Sequence, residues 1–299
     1  MKKIAVALLA IITVASIQSC QSTKSATGSK MLKFNFEKDK GYDYEMIINM
    51  DQDIMGQAMQ MDMTNYYSMD VVADDGTTKT ITTTYDRFKM NMKVGPLDID
   101  VDSDNPLSET GSDEKENPMK MVNKLFGAIK GRKFSMKVNA EGKVEEITGF
   151  KEMAQSIVDS MGVDEKMKEQ MQEQFTKQFN ENSMKDQFER VLYIFPNKEV
   201  KVGDSWQKTT TPGGAMGGKY TSTYTVSEIE GDMVTLEEKS KIDGNSDAMN
   251  MKGNITGTLV IDSRSGLVVS ADQDMDLTMT TDGKGIKMKG KTKIKGKER

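Results

Sequence analysis

Apolar and polar residues alternate along the first part of the chain. Leu32, Phe34 and Phe36 are separated by single polar residues, and Tyr42, Tyr44, Met46, Ile48 and Met50 alternate with Asp43, Glu45, Ile47 and Asn49. A period of two sends successive side chains to opposite faces, so the pattern predicts strands with one buried face. Asp75-Gly76 suits the two positive-φ positions of a type I′ hairpin turn. With that pair as the loop, the register sets Met59 opposite Met92, Met61 opposite Met90, Met63 opposite Phe88, Tyr67 opposite Thr84 and Val71 opposite Thr80. The other face then pairs Gln60 with Asn91, Asp62 with Lys89 and Thr64 with Arg87.

A second hairpin is predicted around Asp282-Gly283, with Leu277 facing Met288, Met279 facing Ile286, and Asp276, Asp274 and Asp272 facing Lys289, Lys291 and Lys293. This pairing changes the meaning of the lysine row at 287, 289, 291, 293, 295 and 297. Alone it suggests a face for anionic lipid heads; beside an aspartate row it reads as a solvated ladder that guards a strand edge. Lys287, Lys295 and Lys297 have no partner in that row.

Between the strand-rich halves the period changes. Met153, Ile157 and Met161, then Met167, Met171, Phe175 and Phe179, recur three or four apart, which predicts an amphipathic helical segment broken near Gly162 and restarted with Asp164 as N-cap. Val191–Phe195 with Pro196 closes it. Asp102–Pro118 is acidic and carries two prolines, so it reads as an exposed loop. A loose internal echo links Phe134-x-Met136-x-Val138, Gly142 and Val144 with Leu259-x-Ile261, Gly266, Leu267 and Val269, and Lys40-Gly41-Tyr42-Asp43 with Val202-Gly203-Asp204-Ser205-Trp206. The expected fold is α+β, mainly antiparallel β, with two similar curved β modules flanking a helical segment.

At the N-terminus, Lys2 and Lys3 precede fourteen uncharged residues, Ile4 to Ile17, and then Gln18-Ser19-Cys20. Such a stretch is shorter than the ~20 residues that span a bilayer and reads as a signal peptide. Ile17, Ser19 and Cys20 resemble the bacterial lipobox, which makes Cys20 the expected lipidation site and the first residue of the mature chain. Gln21–Lys30 is small and polar, a flexible tether. The expected organisation is a lipoprotein signal peptide (1–19), a tether (20–30), an N-terminal β module (31–149), a helical segment (150–196) and a C-terminal β module (197–299). The implied location is the bacterial envelope, anchored to the outer membrane through the N-terminal lipid and facing the periplasm.

Composition narrows the chemistry. The 299 residues contain no His, one Cys and 26 Met. Imidazole-dependent triads, disulfides and multi-thiolate zinc sites are thereby excluded. Removing residues 1–19 takes away two lysines and no acid, leaving 39 basic against 46 acidic side chains, a formal charge of −7 that disfavours nucleic acid. Gly213, Gly218 and Lys219 have the spacing of a phosphate-binding loop, but Tyr220 stands where Ser or Thr is needed and a β pattern follows, so no nucleotide is expected. Asp98, Asp100, Asp102, Asp104 and Glu109 fit the spacing of a calcium loop, except that Ser103 replaces its turn glycine; a strand with a solvated acidic face explains them equally.

The lipobox, Phe34, Phe36, Gly41-Tyr42, Arg87-Phe88, Asp102-Ser103, Gly142-Lys143-Val144 and Val202-Gly203-Asp204-Ser205-Trp206 resemble the domain of unknown function 6263 lipoproteins of Bacteroidetes. The resemblance covers residues 31 to about 270. It implies localisation and fold, and transfers no catalytic residue.

The candidate site is therefore the methionine-rich face of the first hairpin: Met59, Met61, Met63, Phe88, Met90 and Met92. Thioethers are soft and conformationally adaptable. The face fits a packed core, a plastic surface for an apolar ligand or partner segment or, less well, Cu(I). Trp206 is a core anchor or a stacking platform for a sugar or lipid chain. No catalytic residue, metal or cofactor is expected. The functional expectation is a non-enzymatic protein binding an apolar ligand or partner segment, with a structural role in an envelope complex as the alternative.

Overall fold

The computed structural model describes residues 28–54, 56–105, 124, 127–162, 164–178, 181–211, 219–245, 250–281 and 284–299. Seven strands come first: β1 (Lys30–Leu32), β2 (Gly41–Ile54), β3 (Gln57–Asp74), β4 (Thr78–Val94), β5 (Leu97–Asp102), β6 (Lys133–Asn139) and β7 (Val144–Thr148). Helices α1 (Phe150–Ser160), α2 (Glu165–Gln178) and α3 (Glu181–Leu192) follow. Then come β8 (Lys198–Val200), β9 (Ser205–Thr210), β10 (Lys219–Glu230), β11 (Met233–Asn245), β12 (Asn250–Asp262), β13 (Leu267–Thr281) and β14 (Lys284–Glu298). The fold is α+β and mainly antiparallel.

The two β modules on either side of the helices are joined into one sheet. Its order is β7-β6-β4-β3-β2-β14-β13-β12-β11-β10-β9, with β5 beside the second half of β4, while β1 and β8 pair separately. Strand β14 is therefore an interior strand. Its lysines face acids on both sides: Lys291 lies 3.4 Å from Asp274 and Lys293 3.7 Å from Asp272 on β13, and Lys295 lies 2.8 Å from Glu45 on β2. The row is a charge ladder within the sheet, not the guard of an edge, and Lys295 is paired after all.

The C-terminal hairpin has the predicted register at every pair, including Leu277–Met288, Met279–Ile286 and Asp272–Lys293. Its loop pair Asp282-Gly283 lies outside the described residues. The N-terminal hairpin is shifted by two where Met59 pairs with Val94, Met61 with Met92 and Met63 with Met90, and by one between its bulges, where Tyr67 pairs with Tyr85 and Val71 with Ile81. The cause is local. Asp75 is a flanking residue whose carboxylate accepts from the Thr77 and Thr78 amides (2.9 and 2.7 Å), so Gly76-Thr77 forms the turn. Moving a turn by one residue moves the register by two, and this preserves which face each side chain occupies. Bulges at Val72 and Asp86 then realign part of the ladder.

The sequence echo has a structural counterpart displaced by two residues, with Asp39 and not Gly41 in the place of Gly203. The Val71 carbonyl accepts from the Asp39 amide and the Val71 amide donates to Lys40 O; the same exchange links Val226 with Gly203 N and Asp204 O. A bulge follows each valine, at Val72 in β3 and Ser227 in β10. A second matched pair of bulges lies in the β6–β7 and β12–β13 hairpins. The tight turn of the first hairpin presses on the end of α3, and that of the second on the crossing segment after β1. A Cβ on Gly142 would stand 1.8 Å from Leu192 O, and one on Gly266 2.5 Å from Lys33 O.

The main core fills one half of the inner face. Tyr42, Tyr67, Met69 and Ile81 from the N-terminal half meet Val226, Leu236, Leu259 and Ile261 from the other, around Phe150, Ile157, Met184 and Phe188 of the helices. Asp164 caps α2 as expected, its Oδ1 accepting from Met167 N at 2.9 Å. Helix α3 falls within the expected helical segment (150–196), beyond the stripe at Met167–Phe179. Its Met184, Phe188, Val191 and Leu192 are buried, an i, i+4, i+7, i+8 stripe that was legible. Of the second predicted stripe, Met167 is exposed, Met171 is half-buried, and the Phe175 and Phe179 side chains lie outside the described residues.

Helix α3 bridges the two edges of the rolled sheet. Toward β7, Glu189 accepts from Val144 N (3.1 Å) and Lys185 donates to Glu145 O (2.7 Å). Toward β9 and β10, Tyr193 lies under Lys208 and Arg190 over Tyr220.

Candidate functional site

Strands β2–β4 and β10–β14 run on beyond the packed core. Cross-strand partners share a face, so the inner surface can be followed from strand to strand. One row begins with Ile99, Met92, Met61 and Met50 on β5 to β2, passes Gly290, and continues through Met275 and Ile255. It ends at Ser240, Ser222 and Lys208 on β11 to β9. A neighbouring row joins Met59, Gln52, Met288, Leu277, Gly253, Ile242 and Tyr220. The outer face over the same strands carries the charge ladders.

The expected Met face is thus real and larger than one hairpin. Phe88 and Met90 are buried against Ile99 and Val101, with Met61, Met63 and Met92 half-buried beside them. Met59 is also half-buried. A second cluster of Tyr220, Ile242, Met251 and Leu277, with Ile255, Met275 and Met288 half-buried against it, lines the C-terminal half. Neither cluster merges with the main core. Hairpin reasoning reached Leu277 and Met288 as partners but not as part of the candidate surface, because only the β2–β14 junction brings the two hairpins side by side.

At the C-terminal end of this surface the chemistry turns polar. Glu238 is buried, with its carboxylate accepting from Ser240 Oγ and Gln273 Nε2, each at 2.5 Å. Ser240 Oγ also lies 2.7 Å from Ser222 Oγ. Burial pushes the Lys208 ammonium pKa down. Burial likewise raises the Glu189 carboxyl, against the lowering effect of the Val144 amide. Glu189 lines a polar cleft of ≈ 530 Å³ at the seam with Lys143, Lys185, Asp186 and Thr211.

The remaining candidates are structural. Asp98, Asp100 and Asp102 alternate along β5 with buried Ile99 and Val101. Arg87 grips Asp102 with two hydrogen bonds of 3.0 and 2.6 Å, holding its carboxyl down at about 2. Asp104 pairs with Arg87 and Lys130. Glu109 lies outside the described residues, as do Cys20 and Gly213–Gly218. Trp206 donates from Nε1 to Ile194 O at 2.8 Å and packs half-buried against the core, the anchor role.

Fold and site together define the class: one rolled antiparallel sheet, filled by helices over half its inner face and lined by thioethers and aliphatic side chains over the rest. The chain belongs to the family of unknown function DUF6263, which matches residues 76–268. No curated protein matches it. Two solved structures are similar in outline. One, titled "Lipid-protein interactions in lipovitellin", is 8% identical with a TM-score of 0.49, covering 89% of this chain and 26% of the other. The other, the translocator domain of autotransporter NalP from Neisseria meningitidis, is 6% identical with a TM-score of 0.25, covering 87% and 89%. The chain spans about a quarter of the length of the lipovitellin chain.

Proposed function

We propose that the protein is a lipid-anchored envelope protein that holds an apolar chain against the methionine-lined half of its inner face, without catalysing a reaction on it. The observation that carries this reading is the apolar surface from β5 to β12, two clusters outside the main core that leave Met61, Met63, Met92, Met275 and Met288 half-buried. A half-exposed apolar side chain retains part of the ~1.5–3 kcal/mol that full burial would contribute, and an incoming chain collects that remainder from several residues together. Methionine suits the task because its unbranched thioether follows the contour of a flexible ligand. The lipobox cysteine and polar tether supply the anchor.

The test is native mass spectrometry, with lipid extraction, of protein purified from its own envelope. A bound apolar mass is expected, and it should be lost when Met61 and Met275 are both changed to Glu. A clean ligand-free mass from repeated native preparations would refute the reading.

A further inference from the structure

The apolar row has a polar, cationic end. The Lys208 ammonium stands 3.9 Å from the centroid of the Tyr193 ring and the Arg190 guanidinium 4.8 Å from that of Tyr220. Neither cation forms an ion pair with a described residue. An aromatic face attracts a cation without neutralising its charge, so both retain a demand for an anion. Glu141 acts on Lys208, and Asp186 on Tyr220, only across longer range, while Glu238 is occupied by Ser240 and Gln273 and Glu189 by the Val144 amide. From Tyr220 on β10, under Arg190, the neighbouring row passes Ile242, Gly253 and Leu277 to Met288 on β14, four inter-strand steps or about 19 Å, the scale of an extended long acyl chain.

We infer that Arg190 and Lys208 hold the carboxylate of a long-chain fatty acid whose tail lies along this neighbouring row toward Met288. The planar guanidinium fork matches a carboxylate, and the ammonium adds a second charge-assisted donor. The inference rests on the chain-holding reading above and adds the head group and the direction of the tail.

Delipidated full-length protein titrated with palmitate, hexadecanol and hexadecyltrimethylammonium separates the two. Palmitate is expected to bind about tenfold or more tighter than the neutral alcohol. Changing Arg190 and Lys208 together to Gln should bring palmitate to the level of hexadecanol and leave hexadecanol unmoved. Equal binding of acid and alcohol, or a parallel loss of both in the variant, overturns the head-group assignment and leaves the chain-holding reading standing. Tightest binding of the ammonium compound also overturns it, pointing to Glu238 as the head partner. Binding of none of the three overturns both.

Discussion

Gly142 and Gly76 make a matched experiment on how the end of α3 is braced against the N-terminal half. Their φ values are nearly equal, +86° and +88°, but a Cβ on Gly76 meets nothing within 4 Å whereas one on Gly142 would stand 1.8 Å from Leu192 O. Placing Ala in left-handed backbone costs about 1–2 kcal/mol. A less flexible unfolded chain offsets about 0.4–1 kcal/mol of that. Gly76→Ala should therefore lose only about 1 kcal/mol. Gly142→Ala adds an overlap with backbone that no rotamer can relieve, for which overpacking costs of about 1–3 kcal/mol apply, giving about 2–4 kcal/mol in all. The assay is urea unfolding read by the fluorescence of Trp206, whose Nε1 is bonded to Ile194 O in the displaced segment. The native emission of Gly142→Ala should also shift, and that of Gly76→Ala should not. If the two variants differ by less than about 0.5 kcal/mol, within the range of ordinary surface substitutions, the turn does not brace the end of α3.

Trp206→Phe removes the donor to Ile194 O and should cost about 1–3 kcal/mol in urea unfolding followed by far-ultraviolet circular dichroism, since the carbonyl loses its partner; an unchanged midpoint would dismiss Trp206 as an anchor. The Asp102 carboxyl, held by Arg87 at about 2 and so below the ordinary value of 3.8, contributes stability that is present above 3.8 and lost as the pH falls through about 2. The stability gap between wild type and Asp102→Asn should therefore narrow across that interval in pH-dependent denaturation, and a constant gap would contradict the pairing. Cys20→Ser should move the protein from the membrane to the soluble fraction on cell fractionation; retention in the membrane would refute lipidation at that residue.

Much of the candidate surface was legible because its determinants are local. Side-chain alternation assigns Met59, Met61, Met63, Met90 and Met92 to one face whatever the turn does, and a register error of two leaves that assignment intact. The register itself was not legible. It depended on Asp75 accepting from the Thr77 and Thr78 amides instead of occupying a loop position, and on bulges at Val72 and Asp86. The cationic end was also missed. Lys208 and Arg190 are unremarkable in sequence and acquire meaning only because α3 packs across β9 and β10.

By itself, the sequence determined the α+β class, the hairpin carrying Leu277 and Met288, the N-cap at Asp164 and the absence of imidazole chemistry, because periodicity, turn chemistry and composition act over a few residues. The tertiary structure alone decided that β2 and β14 join the two halves into one sheet and that their two methionine faces form a single surface ending at Lys208. Residues hundreds of positions apart meet there. What brings them together is burial of the shared core against α1 and α3, a term that no local pattern encodes.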